Sequence, residues 1–291
     1  MRYCTFQYGP RVGAGLIHGR LVVDLGQAFQ RAFKRPAKFP DLGSFLAQGG
    51  YPKSKTLDLA TIKEDRVVAI PVHEVKLKAP LSRPTKIVCV GLNYKAHAAE
   101  QNIEPPKAPM LFAKAPNIVI GPDEAIRMPL GLSEQVDYEA ELAVVIGEPG
   151  FQIRKADAYK HIFGYTVLND VTARDLQRGD KQWFRGKSLN TFCPMGPSVV
   201  TGDEFDCSKA PISCKVNGEK RQNSNTNDLI FDVPSLIEYI SAAFPLEAGD
   251  VISTGTPSGV GMFMTPSRWL KKGDVVEATV DGIGTLRNVV E

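Results

Sequence analysis

Histidine is scarce in this chain, four in 291 residues, and neither sign of charge dominates: 35 basic and 32 acidic side chains leave a net of +3. That balance argues against a nucleic-acid-binding surface, which needs a basic patch or stripe. No run of eighteen apolar residues exists, so no membrane-spanning helix is expected. The opening Met1-Arg2-Tyr3-Cys4-Thr5-Phe6 lacks the apolar region of a signal peptide. The five cysteines form no C-x-x-C pair, and their odd number argues against a disulfide framework. Reducing, cytoplasmic conditions are therefore expected, with a mitochondrial location if a transit peptide has been removed. Cys89, in the apolar run Ile87-Val88-Cys89-Val90, reads as a core residue rather than a nucleophile. A phosphate loop is also missing. Residues 249–261 run from a strand into a glycine-rich turn, but no Gly-Lys-Ser/Thr follows and the dinucleotide fingerprint is absent.

What is present supports a sizeable core, with 43% apolar and 23% charged residues. Residues 1–71 read as a small α+β N-terminal domain. Strands are expected at 15–19 and 21–25, and helices at 25–33 and 39–48. Residues 72–85, with Pro80 and Pro84, read as a linker. From residue 86 to 291 strands dominate, at 86–91, 136–147, 164–169, 212–216, 251–254 and 275–280. Helices are expected at 94–101, 171–178 and 233–244, the last opened by Asp232 as N-cap. Asn217-Gly218 and Asp281-Gly282 are hairpin signals. The fold class is thus α+β and β-rich, a sandwich or barrel-like architecture rather than a doubly wound sheet.

The most informative segment is Val136-Asp137-Tyr138-Glu139-Ala140-Glu141-Leu142 and the apolar run that follows it to Gly147. Alternation predicts a strand, on which side chains two apart share a face. Asp137, Glu139 and Glu141 then project together, and like charges on one face repel unless a cation or solvent relieves them. Mg²⁺ or Mn²⁺, hard cations with oxygen ligands, suits such a set. The alternative is an amphipathic strand with a solvated acidic face.

Other segments carry reactive groups. His97 and Glu100 are three apart and share a face if helical, an arrangement in which the carboxylate raises the basicity of the imidazole. The polar, proline-rich residues 101–109 read as a mobile lid. Asp170 falls where a strand gives way to a helix, so it is either an N-cap or a third ligand beside Glu139 and Glu141. Arg174 and Gln177 follow it at i+4 and i+7, suited to holding a substrate carboxylate. Lys187 follows Gly186 and is either a surface lysine or part of the site. Thr254, at a strand end, has a hydroxyl to offer a ligand.

In this order the phrases Gly91-Leu92-Asn93-Tyr94 through Glu100, Asp137-Tyr138-Glu139-Ala140-Glu141-Leu142, Asn169-Asp170-Val171-Thr172-Ala173-Arg174-Asp175, Gly186-Lys187-Ser188 and Thr254-Gly255-Thr256-Pro257 resemble the fumarylacetoacetate hydrolase family. The resemblance spans residues 87–290, about two-thirds of the chain. It implies a mixed β-sandwich roll, usually a homodimer. It implies that Glu139, Glu141 and Asp170 bind Mg²⁺ or Mn²⁺, and that His97 and Glu100 form a dyad on a lid. Lys187 would stabilise a developing enolate, with Arg174, Gln177 and Thr254 lining the substrate pocket. The N-terminal segment makes the chain similar to the longer family members, some of which act on oxaloacetate.

These expectations converge on a small 2-oxo or diketo acid as substrate, reacting through an enolate. Carbon–carbon hydrolysis of an acylpyruvate-type substrate ranks first, with oxaloacetate tautomerisation or decarboxylation next. A non-catalytic protein holding a metal and a small acid is the alternative from another class. A sugar- or nucleotide-binding module is disfavoured, because aromatic clusters flanked by basic residues are missing.

Overall fold

The computed structural model describes residues 1–62 and 65–291. Its frame is a twelve-stranded sheet. The main path runs Ala69–Pro71, Leu21–Asp24, Arg11–His18, Arg2–Tyr8, Cys193–Thr201, Ile162–Asn169, Ala140–Ile146, Val251–Ser253, Ile87–Gly91 and Met110–Ala113. Most pairings are antiparallel, but Val251–Ser253 runs parallel to Ile87–Gly91, which makes the sheet mixed. A four-stranded sheet, ordered Glu219–Asn225, Pro211–Val216, Val275–Val280 and Gly284–Val289, packs across it. The result is the α+β, strand-rich architecture the sequence predicts.

Burial explains the two kinds of strand. Ala140–Ile146 and Ile162–Asn169 are buried at every position, so they read as near-continuous apolar runs. Pro211–Val216 alternates between buried and more exposed positions, as one-sided strands do. Asn217 and Gly218 both take positive φ, 53° and 78°, and join Pro211–Val216 to Glu219–Asn225. That is the tight hairpin their dipeptide signals.

Residues 1–71 share the frame. Arg2–Tyr8 pairs antiparallel with Cys193–Thr201, and Lys76–Lys78, inside the expected linker, pairs with Arg2–Tyr8. Phe29, Phe39 and Phe45 of this segment belong to the same core cluster as Val144 and Val167 of the family-like segment. The helix Leu25–Phe33 lies where predicted and is capped by Asp24, which accepts from Gln27 N at 3.1 Å.

Two expected elements are broken. The strand at 136–147 is interrupted at Tyr138 and Glu139, leaving Val136–Asp137 and Ala140–Ile146. The helix at 171–178 begins only at Arg174; Thr172–Ala173 is instead a strand paired with Val136–Asp137. Both breaks lie beside the acidic cluster. Among the described residues no helix is long and apolar enough to cross a membrane.

Gly164 marks how closely the central strands approach. A Cβ there would lie 2.2 Å from the Val200 carbonyl oxygen, which is backbone and cannot swing aside. Gly164→Ala should destabilise the protein by about 1–3 kcal/mol, as overpacking does. Chemical denaturation at constant m-value checks it.

Candidate active site

The strand break at Tyr138 and Glu139 separates the three acids of the first motif. Asp137 turns away from Glu139 and Glu141. Its carboxylate accepts from Gly261 N at 2.8 Å, Met262 N at 3.0 Å and Arg174 Nε at 2.9 Å. It is thus an anchor for Arg174, not a third member of the strand's acidic face as alternation predicts. The third carboxylate comes from Asp170. One oxygen each of Glu139, Glu141 and Asp170 lies within 4.8 Å of the others, and all three residues are buried. Asp170 caps no helix, because the N-cap position of Arg174–Gly179 is Ala173. The i, i+4, i+7 helix face over Asp170, Arg174 and Gln177 therefore does not exist. Asp170 reaches the cluster from a non-helical turn, where its N–H donates to Glu139 O at 2.8 Å.

Four buried carboxylates, Asp137, Glu139, Glu141 and Asp170, meet three buried cations, Lys114, Arg174 and Lys187. Lys187 Nζ donates to Glu139 Oε2 at 2.6 Å and Asp170 Oδ2 at 2.7 Å. Lys114 Nζ takes the other Asp170 oxygen and donates to Val171 O at 3.2 Å. Arg174 Nη2 lies 2.7 Å from Glu139 Oε1, and Nη1 donates to Gln177 Oε1 at 3.2 Å. Burial pushes the Glu139 carboxyl up, but the charges of Lys187 and Arg174 outweigh it and hold Glu139 down at about 2. Glu141 has the opposite fate. Burial, then the negative charges of Asp170 and Glu139, push it up to about 8, although Ser253 Oγ and Gly255 N both donate to its Oε2. Burial favours a neutral Lys187, yet Asp170 and Glu139 raise its pKa and keep it an ammonium.

This donor set fits a divalent cation. It offers only hard carboxylate oxygens, and its least stable carboxylate, Glu141, is the one that lacks a cationic partner within hydrogen-bond range. Gly255 shapes that side. Its φ is +101° and a Cβ would lie 2.9 Å from Asn93 Cβ, so only glycine brings its N–H to Glu141 unstrained.

Above the cluster stands the pair His97 and Glu100 on the helix Lys95–Glu100. His97 Nδ1 is 2.6 Å from Glu100 Oε1, and Gly259 N donates to Glu100 Oε2 at 3.0 Å. Gln101 Nε2, which can only donate, lies 2.9 Å from His97 Nε2. That contact makes Nε2 an acceptor and leaves the ring proton on Nδ1, facing Glu100. A cavity of about 390 Å³ joins these groups: His97, Glu139, Glu141, Arg174, Gln177 and Lys187 all line it. Phe112 and Trp183, packed edge to face at 5.1 Å, form an apolar wall.

Thr254 does not reach the cavity. Its hydroxyl donates to Leu142 O at 2.9 Å, and the turn at Gly255 presents Thr256 to the cavity instead. Lys114 and Gln101 were not singled out from the sequence. Lys114 sits between two alanines without any local pattern; Gln101, read as lid, is the helix C-cap. Lys114→Met should cost about 3–5 kcal/mol, because it leaves Asp170 buried with one cation fewer. A denaturation midpoint within error of the parent protein's would contradict that role.

Comparison with known proteins gives a consistent result. The family model for the fumarylacetoacetate (FAA) hydrolase C-terminal domain matches residues 86–291. Oxaloacetate tautomerase YisK of Bacillus subtilis (strain 168) is 42% identical over 300 residues, covering all of both chains. The mitochondrial oxaloacetate tautomerase FAHD2A of Bos taurus is also 42% identical, over all of this chain and 91% of its own length. The solved fumarylacetoacetate hydrolase EaFAH from psychrophilic Exiguobacterium antarcticum superposes with a TM-score of 0.86 at 37% identity, covering 100% of this chain and 99% of that one. The motifs, the strand-rich fold and these full-length similarities agree: the chain belongs to the fumarylacetoacetate hydrolase family.

Proposed function

We propose that the protein interconverts the keto and enol forms of oxaloacetate at a site holding Mg²⁺ or Mn²⁺. The observation that carries this reading is the placement of His97, paired through Nδ1 with Glu100, in one small cavity with Glu139 and Glu141 of the acidic cluster. Carbon–carbon hydrolysis ranked first on sequence. The full-length similarity to two proteins named oxaloacetate tautomerase supports moving tautomerisation ahead of it.

A divalent cation on Glu139, Glu141 and Asp170 would supply a Lewis acid that draws electron density toward the substrate's 2-oxo oxygen. The chain's own groups do the rest. Arg174 and Gln177 receive the carboxylate next to that oxygen. His97 Nε2 accepts the proton from C3 once the Gln101 amide has swung clear. The C–H electron pair becomes the C2–C3 double bond, and the carbonyl π pair moves onto the oxygen. Glu100 stabilises the imidazolium through Nδ1–H. Lys187 has three protons and spends two on Glu139 and Asp170, so the third is free for the developing oxyanion. Returning the proton from His97 to the oxygen gives the enol, and the reverse sequence gives the ketone.

His97→Ala should lower the rate of enol-oxaloacetate decay about 10²–10⁴-fold, the range for a general base. Calorimetric Mg²⁺ binding should survive, because His97 is not among the proposed ligands. Glu141→Gln should lose both. Pyruvate release from acetylpyruvate, with no effect on enol-oxaloacetate, would return the reading to hydrolysis.

The cation site should also be pH-dependent. Glu141 keeps its proton up to about pH 8 in the metal-free protein, and cation entry must expel it. Apparent Mg²⁺ affinity should therefore fall roughly tenfold per pH unit below about 8. The stability linkage has the opposite sign without metal. The contribution from the raised Glu141 pKa is complete below its ordinary value of 4.5 and is lost as pH rises through about 8. Melting curves of metal-free protein and Glu141→Gln across that window should diverge, with the variant less pH-sensitive.

A further inference from the structure

We propose that Arg178 and Lys181, at the cavity mouth, receive the distal carboxylate of a four-carbon dicarboxylate, and so select dicarboxylates over monocarboxylates. The inference rests on the oxaloacetate reading and adds the residues that read the far end of the substrate. Both side chains line the cavity and both residues are exposed. The other cations of the site are deep and already hold acidic partners, although each keeps a donor for the near end of the substrate: Arg174 pairs with Asp137 and Glu139, and Lys187 with Glu139 and Asp170. Among the described residues Arg178 and Lys181 form no ion pair. Arg178 donates to a neutral amide oxygen, Gln135 Oε1, which leaves its charge uncompensated.

Geometry ties them to the substrate's length. Arg174 and Arg178 are four apart on the helix Arg174–Gly179, so they share a face with Cβ atoms about 6 Å apart. One stands beside the acidic cluster and the other a turn nearer the mouth. A molecule with a carboxylate at each end of a four-carbon chain spans that step.

Lys181 is held in place by the turn that follows. Its φ is +60°, a conformation non-glycine residues seldom adopt. The turn is pinned on one side by the Asp180 N–H to Leu176 O at 3.0 Å. On the other, Arg185 grips the Asp180 carboxylate with two nitrogens, Nε at 2.6 Å among them. Trp183, packed on Phe112, fixes the next residues. Strained backbone supported on both sides and bordering a cavity is where function tends to hold strain.

The test compares malate with lactate, stable 2-hydroxy acids that differ by the distal carboxylate. Calorimetry uses the full chain with saturating Mg²⁺. The parent protein should bind malate at least tenfold more tightly than lactate, the size of one charge-assisted hydrogen bond. In Arg178→Gln/Lys181→Gln the two affinities should come within about twofold, with lactate affinity and melting temperature unchanged, and Lys181→Arg should keep the preference. Equal affinities in the parent protein, or an intact malate preference in the double variant, would overturn the proposal. Enol-oxaloacetate turnover, measured in parallel, separates the two readings. If the parent protein turns it over and the double variant's KM is unchanged, the rim assignment alone fails. If it turns over no oxaloacetate yet prefers malate in an Arg178- and Lys181-dependent way, the oxaloacetate reading fails and the rim assignment holds.

Discussion

Everything in the site depends on an imbalance of buried charge. Four carboxylates and three cations, all buried, are packed together, and Glu141 is the acid left without a cation of its own. Burying an unpaired carboxylate is costly, so the metal-free protein keeps that group protonated. A divalent cation held there would let all three cluster carboxylates stay ionised together. The same imbalance explains the buried lysines. Lys114 and Lys187 hold Asp170 through its two different oxygens, which fixes the carboxylate beside Glu139 and Glu141.

The fold creates this arrangement by interrupting regular structure at the right places. An unbroken strand at 136–147 would aim Asp137 the same way as Glu139 and Glu141. The break at Tyr138 and Glu139 redirects Asp137 to the loop at Gly261 and Met262 and to Arg174. The short strand Thr172–Ala173 delays the following helix, so that Asp170 enters the cluster straight from the end of the central strand Ile162–Asn169, while Arg174 opens the helix four residues later. Asn93, fully buried, ties the start of the dyad segment to Thr254 O and Phe231 O. His97 is therefore mounted on the same backbone that presents Gly255 to Glu141.

Much of this was legible in the sequence because chemistry leaves residue types that packing does not demand. A His–Glu pair at helical spacing, two glutamates at strand spacing and a lysine after glycine each had a structural alternative, and only their order made them specific. The β-rich class followed from strand count and turn signals, whereas the mixed β-sandwich roll followed only from the family resemblance. Other features were illegible for definite reasons. Cys193–Thr201, the strand that joins the N-terminal segment to the rest of the sheet, contains two prolines and a glycine and shows no alternation. Lys114 acts across a distance of 56 residues, and nothing near it in the chain marks the contact. Thr256, which lines the cavity where Thr254 does not, was illegible because the positive-φ turn at Gly255 that presents it is invisible to a period-two reading.

In the proposed reaction the protein moves a proton at C3 of oxaloacetate without breaking a carbon–carbon bond. Proton NMR of oxaloacetate in D₂O, with enzyme and Mg²⁺, reads both events at once. Rapid enzyme-dependent loss of the C3 proton signal, with pyruvate forming no faster than in the enzyme-free control, is the predicted result. Pyruvate appearing at an enzyme-dependent rate that keeps pace with the loss of the C3 signal would contradict it.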